Sequence, residues 1–239
     1  MVRAVGFCLY LAYNHLYMFN LFKKKKGASR KEKSEAILEE HRIKINYNLP
    51  HIENDTDVTI RTGSEIASRF VILCITNLVA FNNLSGAEAF SYLSEYNLTQ
   101  YLTPEEQEFL ANPTPEKKNQ ESWKCECIWV LAWALKLVDD LKFPDHLCNL
   151  NDIAETDYPI GNGKNPNNFI NKSWDVRSKA VVLDAADLYY RMDWTVVDAR
   201  LNGISLENLN PGVVYERHYA LNWLINYMNQ DWDDVSCDT

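Results

Sequence analysis

The sequence predicts an all-α protein, a single compact multi-helix domain with a basic N-terminal arm. Helix-start signals recur along the chain and long apolar runs follow them, while no stretch has the alternation and turn residues of a β-hairpin. Eight Gly and eight Pro among 239 residues favour long regular elements over many short strands. A hydrophobic content of 46% is enough to build a sizeable core.

The chain opens with an apolar segment, residues 1–22, and four lysines follow it at once. Polar side chains such as His15 interrupt this segment, which is barely long enough to cross a bilayer. We interpret Met18 as an alternative translation start, which would leave residues 1–17 outside the native protein. Two other interpretations stay open: an N-terminal membrane anchor, and a peripheral tether that touches a membrane through Phe19 to Lys26.

Residues 23–60 are predicted to form the basic arm and an extended linker. Ser29 to His41 has the pattern of a short amphipathic helix, and Ile45 to Ile60 contains a proline and a polar run. Residues 1–44 hold ten Lys and Arg against four Asp and Glu, a balance of +6, which leaves −15 on residues 45–239 from a total of −9. An acidic body repels phosphate backbones, so we expect no nucleic-acid partner.

Residues 61–239 are predicted to form the helical domain. Capping boxes and N-cap–Pro pairs mark the helix starts, at Thr62-x-x-Glu65, Ser85-x-x-Glu88, Thr103-Pro104-Glu105-Glu106, Thr114-Pro115 and Asn210-Pro211. The long predicted helices are Ser64 to Phe81, Glu116 to Leu141, Ser178 to Leu201 and Pro211 to Asn229. Ile128 to Leu135 lacks charged residues, so its helix must be covered on all sides. Leu147 to Ser173 is predicted as a loop with a short helix.

Six cysteines are spread along the chain, without the density of a disulfide-stapled secreted domain. We therefore expect reduced thiols and a cytoplasmic protein. Cys125 and Cys127 lie two residues apart on a predicted helix and point in different directions, so this pair does not predict a zinc site. No metal, P-loop or dinucleotide motif occurs in the sequence, and we expect neither a metal nor a cofactor.

Several polar and aromatic motifs in the helical domain resemble those of one family. They are Arg61-Thr62 with Glu65-Ile66 and Arg69, Ser122 to Glu126, Trp129 to Leu135, Asp187 to Arg191 with Trp194 and Asp198 to Arg200, Glu216 to His218 with Ala220 to Trp223, and Asp231 to Val235. Together they resemble domain of unknown function family 4272 over residues 18–239. The resemblance implies a helical, intracellular protein and supplies no activity.

The predicted helix from Ser178 to Leu201 carries a stripe of polar residues. The stripe consists of Asp184, Asp187, Arg191, Thr195 and Asp198, at spacings of three and four residues. Asp187 and Arg191 are spaced for an ion pair within the helix. The stripe is interpreted either as the solvated face of a largely buried helix, or as the wall of a charged groove in which Arg191 contacts an anionic group.

Glu216, Arg217 and His218 lie near the start of the last long helix, with His218 on its core-facing side. One interpretation of His218 is a buried histidine that is hydrogen-bonded to Asn222, one turn further on. The other is a general acid or base, oriented by Glu216 or Asp187, in a hydrolase or transferase. No nucleophile motif accompanies the histidine, so an enzyme is the alternative hypothesis.

Glu126 is predicted to share a helix face with tryptophans, where a charged carboxylate needs a partner. Arg69, Arg191 or Arg217 would serve, in a network that is either structural or the acid of an active site. The acidic C-terminal tail lacks the glycine and the final glutamate of a calcium loop. We therefore interpret Trp232 as an apolar peg that docks this tail onto the body.

The main functional hypothesis is a binding or interaction domain that recognises a protein or a small polar ligand through a charged groove. Abundant Trp and Tyr support it, because aromatic side chains are common anchors in interfaces. The candidate binding residues are Glu126, Asp187, Arg191, Glu216, Arg217 and His218.

Overall fold

The computed structural model describes residues 27–239, which form α-helices joined by loops and short 3-10 turns and include no β-strand. The helices are α1 (Arg30–Glu40), α2 (Gly63–Ala80), α3 (Gly86–Glu95), α4 (Pro104–Ala111), α5 (Pro115–Ser122), α6 (Cys125–Ala134), α7 (Pro166–Ile170), α8 (Lys179–Leu201) and α9 (Pro211–Leu224). The all-α prediction is confirmed. The apolar segment and the membrane tether predicted at Phe19 to Lys26 lie outside the described residues.

Most of the described helices begin where a side chain caps their free amide groups, and α6 and α8 begin without such a cap. The hydroxyl of Thr62 accepts the Glu65 amide at 3.3 Å, and the Glu65 carboxylate accepts the Thr62 amide at 2.8 Å. Equivalent capping boxes begin α1, α3 and α4, and side-chain caps with a following proline begin α5 and α9. Such a cap contributes about 1 kcal/mol to stability, so these starts are fixed by sequence neighbours.

Helix α6 lies at the centre of the core, where it packs against α2 on one side and α9 on the other. Glu126 and every later residue of α6 are buried, as the charge-free run predicts. The opposite face of α2 packs with α3 and α4 in a second apolar cluster around Ile72 and Phe109. Helix α8 covers α9, and α1 covers α8.

Helix α2 is the one helix in residues 27–239 that is long and apolar enough to cross a membrane by length and composition. Within the protein, 78% of its apolar window is buried. The central helix of a globular core has the same length and composition, and α2 packs against α3, α5, α6 and α7.

Two of the predicted helices are wrong in their extent. The helix predicted from Glu116 to Leu141 is two helices, α5 and α6, because the amides of Trp123 and Lys124 bond three residues back rather than four. Helix α6 then ends before Lys136, which has a left-handed φ of 60°. The helix predicted to reach Asn229 ends at Leu224, because Asn226 and Met228 also have left-handed backbone angles.

The basic segment packs onto the body over residues 30–60. Ile37 and Leu38 of α1 are each 1% exposed, in a cluster with residues of α8 and α9. Arg30 donates from Nε to Asp184 of α8 at 3.0 Å. After α1 the chain runs without regular structure to α2, and Lys179 holds this stretch by donating to the carbonyl of Val58 at 2.9 Å.

Candidate functional site

The polar stripe on α8 is buried at its centre. Asp187 and Arg191 are 0% and 2% exposed, and Arg191 donates from Nε to the Asp187 carboxylate at 2.8 Å. This confirms the predicted intrahelical ion pair. Arg191 also donates to the carbonyl of Pro50 at 2.9 Å, and Thr195 donates to the carbonyl of Lys44 at 2.8 Å. Because residues 30–60 cover the stripe, its centre is neither a solvated face nor the wall of an open groove.

Glu126 and Arg217 form a buried ion pair between α6 and α9, so Arg217 is the partner that the carboxylate required. Arg217 donates from Nε to Glu126 at 2.8 Å and from Nη1 to the carbonyl of Leu141 at 2.6 Å. It also donates to the carbonyl of Lys142 and the hydroxyl of Tyr189, both at 3.0 Å. With exposures of 0% and 1%, Glu126 and Arg217 are closed off from solvent by their own network.

His218 pairs with Asp193 of α8, so Glu216 and Asp187 are the wrong partners for it. The distance between His218 Nδ1 and Asp193 is 3.0 Å, and Nε2 lies 3.1 Å from the amide nitrogen of Asn222, as predicted. A cavity of about 140 Å³ borders the ring. That volume is below the range of ordinary ligand pockets, about 300–1,000 Å³, so His218 has no room for a substrate of usual size.

Glu216 lies in a separate polar cluster on the other side of α9. Its carboxylate accepts from Lys124 at 3.0 Å, and the Cys127 thiol donates to it at 3.2 Å. Burial raises the pKa of the neighbouring Glu121 carboxyl to about 7, against the attraction of the Lys124 ammonium. The six candidate residues therefore divide among four polar clusters inside the helix packing and do not converge on one open cleft.

A larger opening lies at the surface between the start of α2, the loop before α4 and the C-terminal tail. We call it the tail cleft; its volume is about 780 Å³. The side chains and backbone that line it belong to Arg61, Ser64, Glu65, Ser68, Arg69, Gln100 to Glu105, Trp223 and Asp231 to Asp234. The sequence predicted that the tail docks onto the body, but no spacing rule indicated that it would contact the loop at Gln100 to Glu105.

Trp232 closes one side of the tail cleft and docks the tail, as predicted. It is 5% exposed, and its ring meets the edges or faces of Tyr219 and Trp223 at centroid distances of 5.3 Å. The Tyr219 hydroxyl donates to the Trp232 carbonyl. These contacts fix the position of the acidic residues that flank Trp232 in the tail.

Two arginines stack on the tryptophans of the tail cleft. Arg61 lies over Trp223 at 4.8 Å and donates to the carbonyl of Gln230 at 2.8 Å. Arg69 lies over Trp232 at 5.1 Å, and its Nη2 donates to the buried Glu106 carboxylate at 2.6 Å. The Nε of Arg69 is buried and has no hydrogen-bond partner within residues 27–239. Because the Glu106 carboxylate pairs with Arg69, much of the positive charge in the cleft is already neutralised within the protein.

Most of the acidic side chains of the tail cleft form few ion pairs or hydrogen bonds with the rest of the protein. Glu105, Asp231, Asp233 and Asp234 form no ion pair with any residue that the structure describes. Within residues 27–239, the one hydrogen bond to these carboxylates is that of Asp233, which accepts the amide of Glu105 at 3.2 Å. The cleft thus presents a rim of negative charge above an aromatic floor.

Comparison with known proteins gives one match. The model of a family described as a domain of unknown function (DUF4272) matches residues 30–235, which run from the first residue of α1 to the tail beyond Trp232. No curated protein and no solved structure matches the chain. The match includes both walls of the tail cleft and residues 30–60, which cover the stripe on α8.

Proposed function

The chain belongs to the DUF4272 family of domains of unknown function, and we propose that it binds a small amine-bearing ligand in the tail cleft. The observation that carries the proposal is the rim of Glu105, Asp231, Asp233 and Asp234, which surrounds a cavity of about 780 Å³. That volume lies within the range of about 300–1,000 Å³ that is typical of small-molecule sites. The proposal keeps the small polar ligand of the sequence hypothesis and moves its site from α8 to the tail.

Charge favours a cationic ligand over an anionic one. The lining contains two arginines and five carboxylates, and Arg69 is already neutralised by Glu106 behind it. Arg61, the other arginine, lies 3.5 Å from the Glu65 carboxylate. An ammonium group that enters the cleft therefore meets four carboxylates that have no ion-pair partner among the described residues, and each ion pair at such an exposed site contributes up to about 1 kcal/mol. The charge of −15 on residues 45–239 adds a long-range attraction for cations.

The floor of the tail cleft favours a ligand with an aliphatic or aromatic part. Trp223, Trp232 and Leu102 are 6%, 5% and 7% exposed, so each presents a small apolar edge to the cavity. Arg61 covers one face of the Trp223 ring and Arg69 covers one face of the Trp232 ring, so the edges of the two rings remain for the ligand. A carbon chain that carries two or more amino groups matches this combination of an apolar floor and an acidic rim.

The cytoplasm is part of this proposal, supported by the low cysteine density and the absence of a disulfide pattern in the sequence. Catalysis is not part of it. The carboxylates and arginines that line the tail cleft are groups that hold a charged ligand through ion pairs.

Calorimetric titration with spermidine, an aliphatic triamine, tests the proposal. We expect binding that weakens with salt and that is absent for triethylene glycol, a neutral chain of similar length, and for glutarate, a shorter dianionic chain. Removing two rim charges with Asp231→Asn and Asp234→Asn should weaken spermidine about 30-fold, which corresponds to about 1 kcal/mol for each carboxylate.

A matched control removes two charges from exposed glutamates outside the cleft, with Glu95→Gln and Glu207→Gln. This variant should bind spermidine as the wild type does. Equal losses in the two variants would show that only the net charge matters. Equal losses, no binding of spermidine, or preferential binding of glutarate would each overturn the proposal.

A further inference from the structure

Three metal-binding groups meet on the side of the protein where α6 begins. The sulfur atoms of Cys125 and Cys148 and a carboxylate oxygen of Glu126 all lie within 4.8 Å of one another. Cys125 is the first residue of α6, Glu126 is the second, and Cys148 lies in the loop that follows this helix. The cluster lies outside the tail cleft, and of the C-x-C pair it includes only Cys125, since the Cys127 sulfur faces Glu216 instead.

Hydrogen bonds hold Cys148 against the start of α6. Its amide donates to Glu126 Oε1 at 2.7 Å, and its thiol lies 3.4 Å from the carbonyl oxygen of Cys125. Arg217 fixes the other carboxylate oxygen of Glu126 at 2.8 Å. The three donor groups are therefore positioned by the fold, and the two cysteines are half-buried, so the cluster borders solvent.

We propose that Cys125, Cys148 and Glu126 bind a thiolate-preferring divalent metal ion of the zinc type. Two sulfurs and one oxygen are three ligands of a tetrahedral site, and a water molecule would supply the fourth. With a metal–sulfur distance of about 2.3 Å, tetrahedral geometry places the two sulfurs about 3.8 Å apart. The two sulfurs, which already lie within 4.8 Å of each other, need to move closer by no more than about 1 Å.

The charges of the cluster suit a divalent cation. Two thiolates and Glu126 carry three negative charges, and the adjacent Arg217 carries one positive charge, so a divalent ion makes the group neutral. Glu126 accepts one hydrogen bond on each oxygen, which leaves a lone pair on each for a metal. Binding releases the two thiol protons to solvent, so the affinity should rise with pH.

The neighbouring groups reinforce that pH dependence. The hydrogen bond with Cys125, burial and the Glu126 carboxylate together raise the pKa of the Cys148 thiol. A metal ion must therefore displace a proton from a protonated thiol at neutral pH. Arg217 on α9 is a further charged group that faces the cluster.

Cobalt(II) provides a direct test, because its absorption spectrum reports thiolate ligands. The reduced full-length chain is titrated with Co²⁺, followed by displacement with Zn²⁺. We expect one equivalent of Co²⁺ with sulfur-to-cobalt charge-transfer absorption, lost on addition of Zn²⁺. Cys125→Ser and Cys148→Ser should each weaken binding about 100-fold or more, because loss of an outer partner alone costs 10- to 100-fold. Cys237→Ser, which changes a half-buried cysteine outside the cluster, should bind as the wild type does.

A second measurement uses the wild type alone, in case a serine variant fails to fold. Zn²⁺ should slow the alkylation of Cys125 and Cys148 together, mapped by peptide mass spectrometry, and leave the rate at Cys237 unchanged. The proposal is overturned if the wild type shows no charge-transfer band, or if both serine variants keep it. A Cys125–Cys148 disulfide that forms in a reducing glutathione buffer and excludes the metal would overturn it as well. Spermidine binding is read separately, so the two proposals fail independently.

Discussion

Replacing Arg217 with methionine should lower the free energy of unfolding by about 3–5 kcal/mol, because it leaves the buried Glu126 carboxylate without its cation. The side chain is 1% exposed and donates to four acceptors: Glu126, the carbonyls of Leu141 and Lys142, and the Tyr189 hydroxyl. Methionine fills a similar volume but donates to none of them. Each buried acceptor left without a partner costs about 1–3 kcal/mol, and the carbonyls can recover part of that cost through water.

The second variant in the test removes the unpaired charge. Glu126→Gln in the Arg217→Met background should recover about half of the lost stability, since a neutral amide costs less to bury than a lone carboxylate. Urea unfolding followed by circular dichroism gives the free energies for a double-mutant cycle.

A loss of less than about 1 kcal/mol in Arg217→Met would refute this reasoning, because it would mean that water or a rearranged side chain satisfies Glu126 at little cost. The reasoning would also fail if the double variant were no more stable than the single one. In that case the cost would come from packing around the guanidinium and its stem, and not from the unpaired charge.

Three further predictions concern separate parts of the fold. Burial raises the folded-state pKa of Glu121 from 4.5 to about 7. The contribution of this carboxyl to the free energy of unfolding is therefore fully present below about pH 4.5 and is lost as the pH rises through 7. Glu121→Gln should therefore gain stability relative to the wild type between about pH 5 and pH 8 in thermal melts, and parallel pH profiles would contradict this. Gly86→Ala should cost about 1–3 kcal/mol in urea unfolding, because its Cβ would lie 1.9 Å from the carbonyl oxygen of Leu110; an unchanged midpoint would mean that α3 and α4 separate easily. Trp232→Ala should cost about 3–5 kcal/mol, and limited proteolysis should then cut the tail first; a protected tail would show that other contacts dock it.

Predictions from the sequence succeeded where the determining contacts are local. Thr62 and Glu65 are three residues apart and satisfy each other's amides, so a pattern of two letters specifies the start of α2. The ion pair of Asp187 and Arg191 is equally local, one helical turn apart. Trp232 was also assigned correctly, because a tryptophan among aspartates has few ways to leave water other than docking on the body.

Predictions failed where the partner lies far along the chain. Asp193 reaches His218 across 25 residues and between two helices, whereas the sequence suggested Glu216, two residues away, or Asp187. The burial of Arg191 depends on Pro50, which lies 141 residues away and belongs to a segment predicted as a linker. No sequence periodicity predicts contacts between residues so far apart in the chain. The same holds for the cluster of Cys125 and Cys148, whose separation matches no ligand-spacing motif.

The docking of α1 on α8 has a consequence for how the chain is made. Arg30 and Asp184, which form an ion pair in the folded protein, are 154 residues apart. At about 5–20 residues per second, a ribosome needs on the order of 8–30 s to add the partner of α1 after α1 itself. During that interval Ile37 and Leu38 lack the surface that buries them. Helix α1 therefore completes its packing late in synthesis, after the residues of α8 and α9 that bury it have been added.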